Sequence, residues 1–143
     1  MTIRPRAVRS LRDARERLRD IAAARQSQTQ IACERANQEL AAHTEHRDDF
    51  LDESSALLEA ARSVKDLVNV AEATGEYELA IADAAKVCAR ESDANLHASM
   101  QLGERTRALR TIEKIAERME RERMTAESRR EQQHSDELAG RRR

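Results

Sequence analysis

The residues best suited to chemistry in this chain are few and badly placed for it. His43 and His46 stand three apart, a spacing that could share a metal ion, with Cys33 two or three helical turns away. No second cluster completes a four-ligand set, and the pattern matches no zinc module. His97 and His134 are isolated, and Cys33 and Cys88 form no Cys-x-x-Cys motif, so both thiols read as small apolar fillers of a packed face. Gly75, Gly103 and Gly140 lie too far apart for a phosphate-cradling loop. Carboxylates are plentiful, but they need a concave, water-excluding pocket to become acids or bases. These observations predict a protein that is not an enzyme and holds no cofactor and no metal.

The elements that would position these residues explain the lack of a pocket. Of 143 residues 37% are charged, and the only aromatic side chains are Phe50 and Tyr77, with three Gly, one Pro and no Trp. An Ala-, Glu- and Arg-rich chain with almost no breakers predicts long helices, and it excludes an all-β or doubly wound α/β fold. No run approaches the roughly 20 apolar residues of a spanning helix, and the Arg-studded start lacks the apolar stretch of a secretory signal. A cytoplasmic protein without direct membrane insertion is the expectation.

Hydrophobic spacing supplies the architecture. From Leu40, steps of three and four run through His43, Arg47, Phe50, Ser54, Leu57, Ala61, Val64, Val68 and Ala71. Upstream, Leu11, Ala14, Leu18 and Ile21 keep the spacing in a shifted register, which predicts a stutter across Gln28, Ala32 and Ala36. A second seam passes from Leu67 and Val70 through Thr74, Tyr77, Ile81, Cys88, Asn95, Leu102, Arg105, Leu109, Ile112, Ala116 and Met119 to Arg123 and Ala126. Pro5 suits a helix start and Gly140 a helix end.

The expected fold is therefore all-α, an antiparallel two-helix coiled-coil hairpin with a long second helix. It forms a single unit over 1–143: helix 1 at about 5–60, a turn at about 60–64, and helix 2 at about 63–139. A turn at 73–76, on Thr74-Gly75, is the alternative. Ser63 as N-cap with Asp66 three residues on favours the first position, in which residues whose numbers sum to about 124 face each other. Helix 2 would then run for roughly 115 Å at about 1.5 Å per residue. Beyond about residue 118 it would have no partner within the chain.

Charge is uneven along the sequence. Residues 1–25 carry a net +5, residues 34–93 a net −9 and residues 104–143 a net +3, within an overall −1. Folding near the middle brings the two basic ends together and puts the acidic segment at the turn. A basic end suggests an anionic partner, but the aromatics and motifs of nucleic-acid binding are missing, so no nucleic acid is expected.

One local pattern is more specific. Ala108-Leu109-Arg110-Thr111-Ile112-Glu113-Lys114-Ile115-Ala116-Glu117-Arg118 leads into Glu-Arg-rich sequence through Ser128-Arg129-Arg130-Glu131 and then Asp136-Glu137-Leu138. It resembles the C-terminal helix of the type III secretion central-stalk family, the FliJ/YscO/HrpO-like proteins, and Ser63-Val64-Lys65-Asp66-Leu67 resembles the start of that family's second helix. The tail Arg141-Arg142-Arg143 is basic where the family is acidic, and the midchain Trp of several relatives is missing.

The resemblance implies a non-enzymatic stalk that inserts into and stimulates a hexameric export ATPase, links it to the export gate, and escorts secretion chaperones. It would be a monomer when free, cytoplasmic and peripheral at the inner-membrane secretion apparatus. On this reading the ATPase-binding residues are Arg4, Arg6, Arg9, Arg12, Lys114, Arg118, Arg121 and Arg123. The export-gate-binding residues are Val70, Tyr77 and Ile81. A chaperone-like or structural coiled coil acting without an ATPase is the alternative.

Overall fold

The computed structural model describes residues 5–60 and 63–140. Two helices account for nearly all of them, α1 at Pro5–Glu59 and α2 at Val64–Gly140, 55 and 77 residues long, packed as an antiparallel hairpin. Ala61 of the proposed seam and Arg141–Arg143 lie outside the described residues.

Local chemistry marks the break between the helices. The Ala60 amide closes the last turn of α1 onto the Ala56 carbonyl at 3.3 Å. At the start of α2, the Asp66 amide donates to Ser63 Oγ at 3.3 Å while the Ser63 hydroxyl donates to the Asp66 carboxylate at 2.8 Å. This satisfies an otherwise orphaned amide and sets a negative group at the positive helix end. Gly75 lies inside α2 with no positive φ, so its local breaking tendency, about 1 kcal/mol against Ala, is overridden by the packed seam around it.

The chain divides into two compact units: Met1–Ala23 with Gln101–Arg143, here the terminal unit, and Ala24–Met100, the turn unit. Within the turn unit, residues from the two helices meet in pairs. The Thr29 hydroxyl donates to Asn95 Oδ1 at 3.3 Å, the Cys88 thiol donates to Asn37 Oδ1 at 2.7 Å, and Arg47 reaches Glu78 at 3.2 Å. The Phe50 and Tyr77 rings stand 5.2 Å apart at 37°. Asn37 Nδ2 also faces Cys33 Sγ at 3.8 Å, so the two free thiols are joined through an amide.

Burial corrects the sequence reading of α1. A continuous inward line runs through Arg15, Arg19, Ala22, Gln26, Thr29, Cys33, Ala36, Leu40, His43, Arg47, Phe50 and Ser54 in alternating steps of four and three, with Ala23, Ala32 and Thr44 half-buried at its edge and Gln28 exposed. Leu11, Ala14, Leu18 and Ile21, expected in the seam, are exposed. The reason lies in the partner helix. The α2 seam holds one phase from Val70 to Met119, and a stutter in α1 alone would rotate it off that seam. Thr29 fits inward because the Gln26 carbonyl accepts from its hydroxyl at 3.0 Å with Asn95 Oδ1 at 3.3 Å, and Arg15 and Arg19 are half-buried in the same line, Arg19 Nε being buried with no hydrogen-bond partner among the described residues. On α2 the only departure in that stretch is at Arg105, which is exposed while Thr106, bonded to the Leu102 carbonyl at 2.8 Å, turns inward.

Candidate functional site

In the terminal unit the first turns of α1 run along α2 and leave a groove of about 440 Å³ lined by Pro5, Val8, Arg9 and Arg12 on one side and Ala116, Met119, Glu120 and Arg123 on the other. Val8 and Leu109 are buried here, and the arginines rim the apolar floor. Pro5 opens α1 because its fixed φ suits a first helical turn and its missing amide has no partner there anyway. With α1 beginning at Pro5, α2 outruns it. Every residue from Glu120 to Gly140 is exposed, including Met124 and Leu138.

The basic residues singled out from sequence fall into separate groups. Arg9, Arg12 and Arg123 share the groove. Lys114, Arg118 and Arg121, at steps of four and three, share a different face of α2 with Glu117, Glu122 and Arg129. Arg6 is exposed and lines neither surface, and Arg4 lies outside the described residues. Much of this charge is matched locally: Arg118 meets Glu122 at 2.9 Å, Arg121 meets Glu117 at 3.6 Å, and Arg123 meets Glu120 at 2.9 Å and Glu127 at 3.6 Å. Such exposed pairs along one helix are worth only about 0.2–0.5 kcal/mol each, so a stronger anionic partner can displace them.

In the turn unit, Val70, Tyr77 and Ile81 are half-buried on the inward face of α2, with Tyr77 against Phe50. The apolar groups most open to solvent near the turn are others: Leu57 and Val64, 64% and 76% exposed, with Leu58, Leu67 and Val68. A shallow groove of about 370 Å³ lies among Leu57, Leu58, Ala60, Asp66, Asn69 and Val70. The sequence held a signal for this patch: the α1 spacing continues past Ser54 to Leu57, and the α2 spacing starts at Leu67, so apolar groups run to the turn on both helices.

Among the described residues no group of three His, Cys, Asp or Glu side chains could hold a metal ion. His43 is half-buried in the seam and His46 is exposed. The Arg47 guanidinium is held above its usual range, first by its hydrogen bond to Asp48 and then by that to Glu78. No described helix is long and apolar enough to cross a membrane.

Residues 5–143 match the family described as flagellar FliJ protein. The chain belongs to the FliJ family. Its members form the stalk of flagellar and type III export systems, to which the YscO- and HrpO-like proteins also belong, and membership implies association with the export ATPase and the export apparatus. No curated protein and no solved structure matches the chain. The FliJ match spans both helices, so the unpaired end of α2 and the acidic turn unit both lie within the family's extent.

Proposed function

We propose that this FliJ-family chain is the non-catalytic central stalk of its export machine, with the terminal unit inserting into the hexameric export ATPase and stimulating it. The observation that carries this reading is the run of α2 from Met124 to Gly140, solvent-exposed throughout and sharing no groove with the described residues of α1. A charged single helix of that length is costly to keep ordered alone, and a ring interior would supply the missing packing. The arginines around the groove and along the Lys114 face are placed to meet carboxylates of such a ring.

The turn unit, with a net charge of −8, would face the export gate, using Val70, Tyr77 and Ile81 once exposed or the already open Leu57 and Val64. On this reading the protein is cytoplasmic, peripheral at the inner membrane, monomeric when free, and an escort of secretion chaperones. The test is to mix it with its cognate export ATPase and follow hydrolysis and ring assembly. Stimulation that falls on combining Arg118→Glu with Arg121→Glu supports the assignment. No complex and unchanged turnover at moderate salt would remove it in favour of a coiled coil acting without an ATPase.

A further inference from the structure

The phase that turns Arg15, Arg19 and Ala22 inward leaves an apolar strip on α1 with nothing over it. Leu11, Ala14, Leu18 and Ile21 follow one another at steps of three and four, so they share one helix face. All four are exposed, Leu11 at 44%, Leu18 at 40% and Ile21 at 65%. Single exposed leucines are ordinary, whereas large aliphatic groups on consecutive turns of one face form a patch. The register of the terminal unit, which puts Val8 in a groove with Ala116 and Met119, brings Ile115 to the same side, and it is 38% exposed.

Charge indicates what would cover the strip. Asp13, Glu16 and Asp20 lie on the far side of α1 at about 100° per residue. They are also engaged: Arg12 meets Asp13 at 3.7 Å, and Arg19 meets Glu16 at 3.8 Å and Asp20 at 2.8 Å. Arg17, beside Leu18, has no carboxylate at ion-pair distance among the described residues, and the unit as a whole carries +7. An apolar strip on a basic unit, with the α1 carboxylates turned away, favours a ligand that is apolar on one side and acidic at the edges.

We infer that Leu11, Ala14, Leu18 and Ile21 form a docking face for an acidic amphipathic helix of a partner protein. Its apolar residues at i, i+3, i+4 and i+7 lie along the strip, and its flanking carboxylates meet Arg17. Two copies of this chain laid strip to strip would oppose like charges, which disfavours self-association here. The strip lies in the same terminal unit as the proposed ATPase contact but uses none of the residues assigned to it.

The test uses the full chain and two labelled synthetic helical peptides of about 20 residues with the same Leu/Ile face, one rimmed by Glu and one by Lys, followed by fluorescence anisotropy. The Glu-rimmed peptide binds at least about tenfold tighter, and its affinity falls as salt rises. Combining Leu18→Gln with Ile21→Gln weakens it at least about tenfold with helix content unchanged by circular dichroism, and Arg17→Glu weakens it by a smaller factor. Combining Leu79→Gln with Leu96→Gln, exposed positions of the turn unit, leaves binding unchanged. Equal binding of both peptides, binding of neither, or binding that survives the Leu18/Ile21 double variant would overturn the inference. So would concentration-dependent dimerisation abolished by that variant, which would make a second copy the occupant. Retained ATPase stimulation in the double variant separates the two readings.

Discussion

The terminal unit and the turn unit are built from the same two helices but held by different means. In the turn unit, side chains reach across: Thr29 to Asn95, Cys88 to Asn37, Arg47 to Glu78, and Phe50 against Tyr77. In the terminal unit, every ion pair among the described residues runs along one helix, and the packing between helices rests on a few groups such as Val8 and Leu109. Pairs along a helix support the helix without fastening it to its neighbour. The difference teaches where binding capacity sits. The +7 unit keeps its arginines on weak, local pairs and its apolar strip uncovered, while the −8 unit spends its polar groups on fixing register.

The largest change should come from deletion of residues 124–143. Stimulation of the export ATPase should be lost, while the thermal midpoint of the remaining chain stays nearly unchanged, because Met124 to Gly140 are all exposed and line no groove with α1. A large fall in the midpoint would show that the tail belongs to the fold.

Next come the two seams. Leu109→Ala, at a site 7% exposed, should cost about 2–3 kcal/mol, and Phe50→Ala, half-buried, about 2 kcal/mol, part of it the ring contact with Tyr77. Denaturant unfolding measures the totals. Native-state hydrogen exchange should localise the first loss to the terminal unit and the second to the turn unit.

Smaller effects sharpen the picture inside each unit. A Cβ at Gly75 or Gly103 would meet nothing within 4 Å, and neither glycine has a positive φ, so Gly75→Ala in the turn unit and Gly103→Ala in the terminal unit should each stabilise by up to about 1 kcal/mol. A loss at Gly75 would revive a turn there. Ser54, 1% exposed with its hydroxyl unpaired, should tolerate Ser54→Ala with no loss or a gain of about 1 kcal/mol.

The smallest effect is Arg47→Ala, a slight loss that shrinks with salt, since the pair with Glu78 is largely exposed on the glutamate side. The Arg47 shift is upward, so its contribution is present below the ordinary arginine value and is lost only as pH rises through the still higher folded value. Stability between pH 6 and 9, roughly, should not change through this residue.

Much of this was legible in the residues. The two helices follow from Ala, Glu and Arg with few breakers, and the α2 seam from Val70 to Met119 reads directly off the spacing, Arg105 excepted. The α1 seam from Leu40 to Ser54 is as clear. The failure at Leu11, Ala14, Leu18 and Ile21 has a definite cause. Taken alone, that stretch of α1 offers two faces at helical spacing, one of Leu and Ile and one of Arg15, Arg19 and Ala22, and hydropathy prefers the first. Val70, Tyr77 and Ile81 belong to the α2 seam by their spacing, and they are half-buried there.

Helicity, the α2 seam and the split of charge could be read from the residues alone, because each depends on local propensity or on a period carried within one helix. Only the tertiary structure decided which face of early α1 turns inward, because a face is chosen by the phase of the partner helix. The same packing decided that Leu11, Leu18 and Ile21 stay in solvent while Arg15 and Arg19 are half-buried in the seam. A helix of uniform phase gains more from an unbroken seam than from burying three more aliphatic groups out of register.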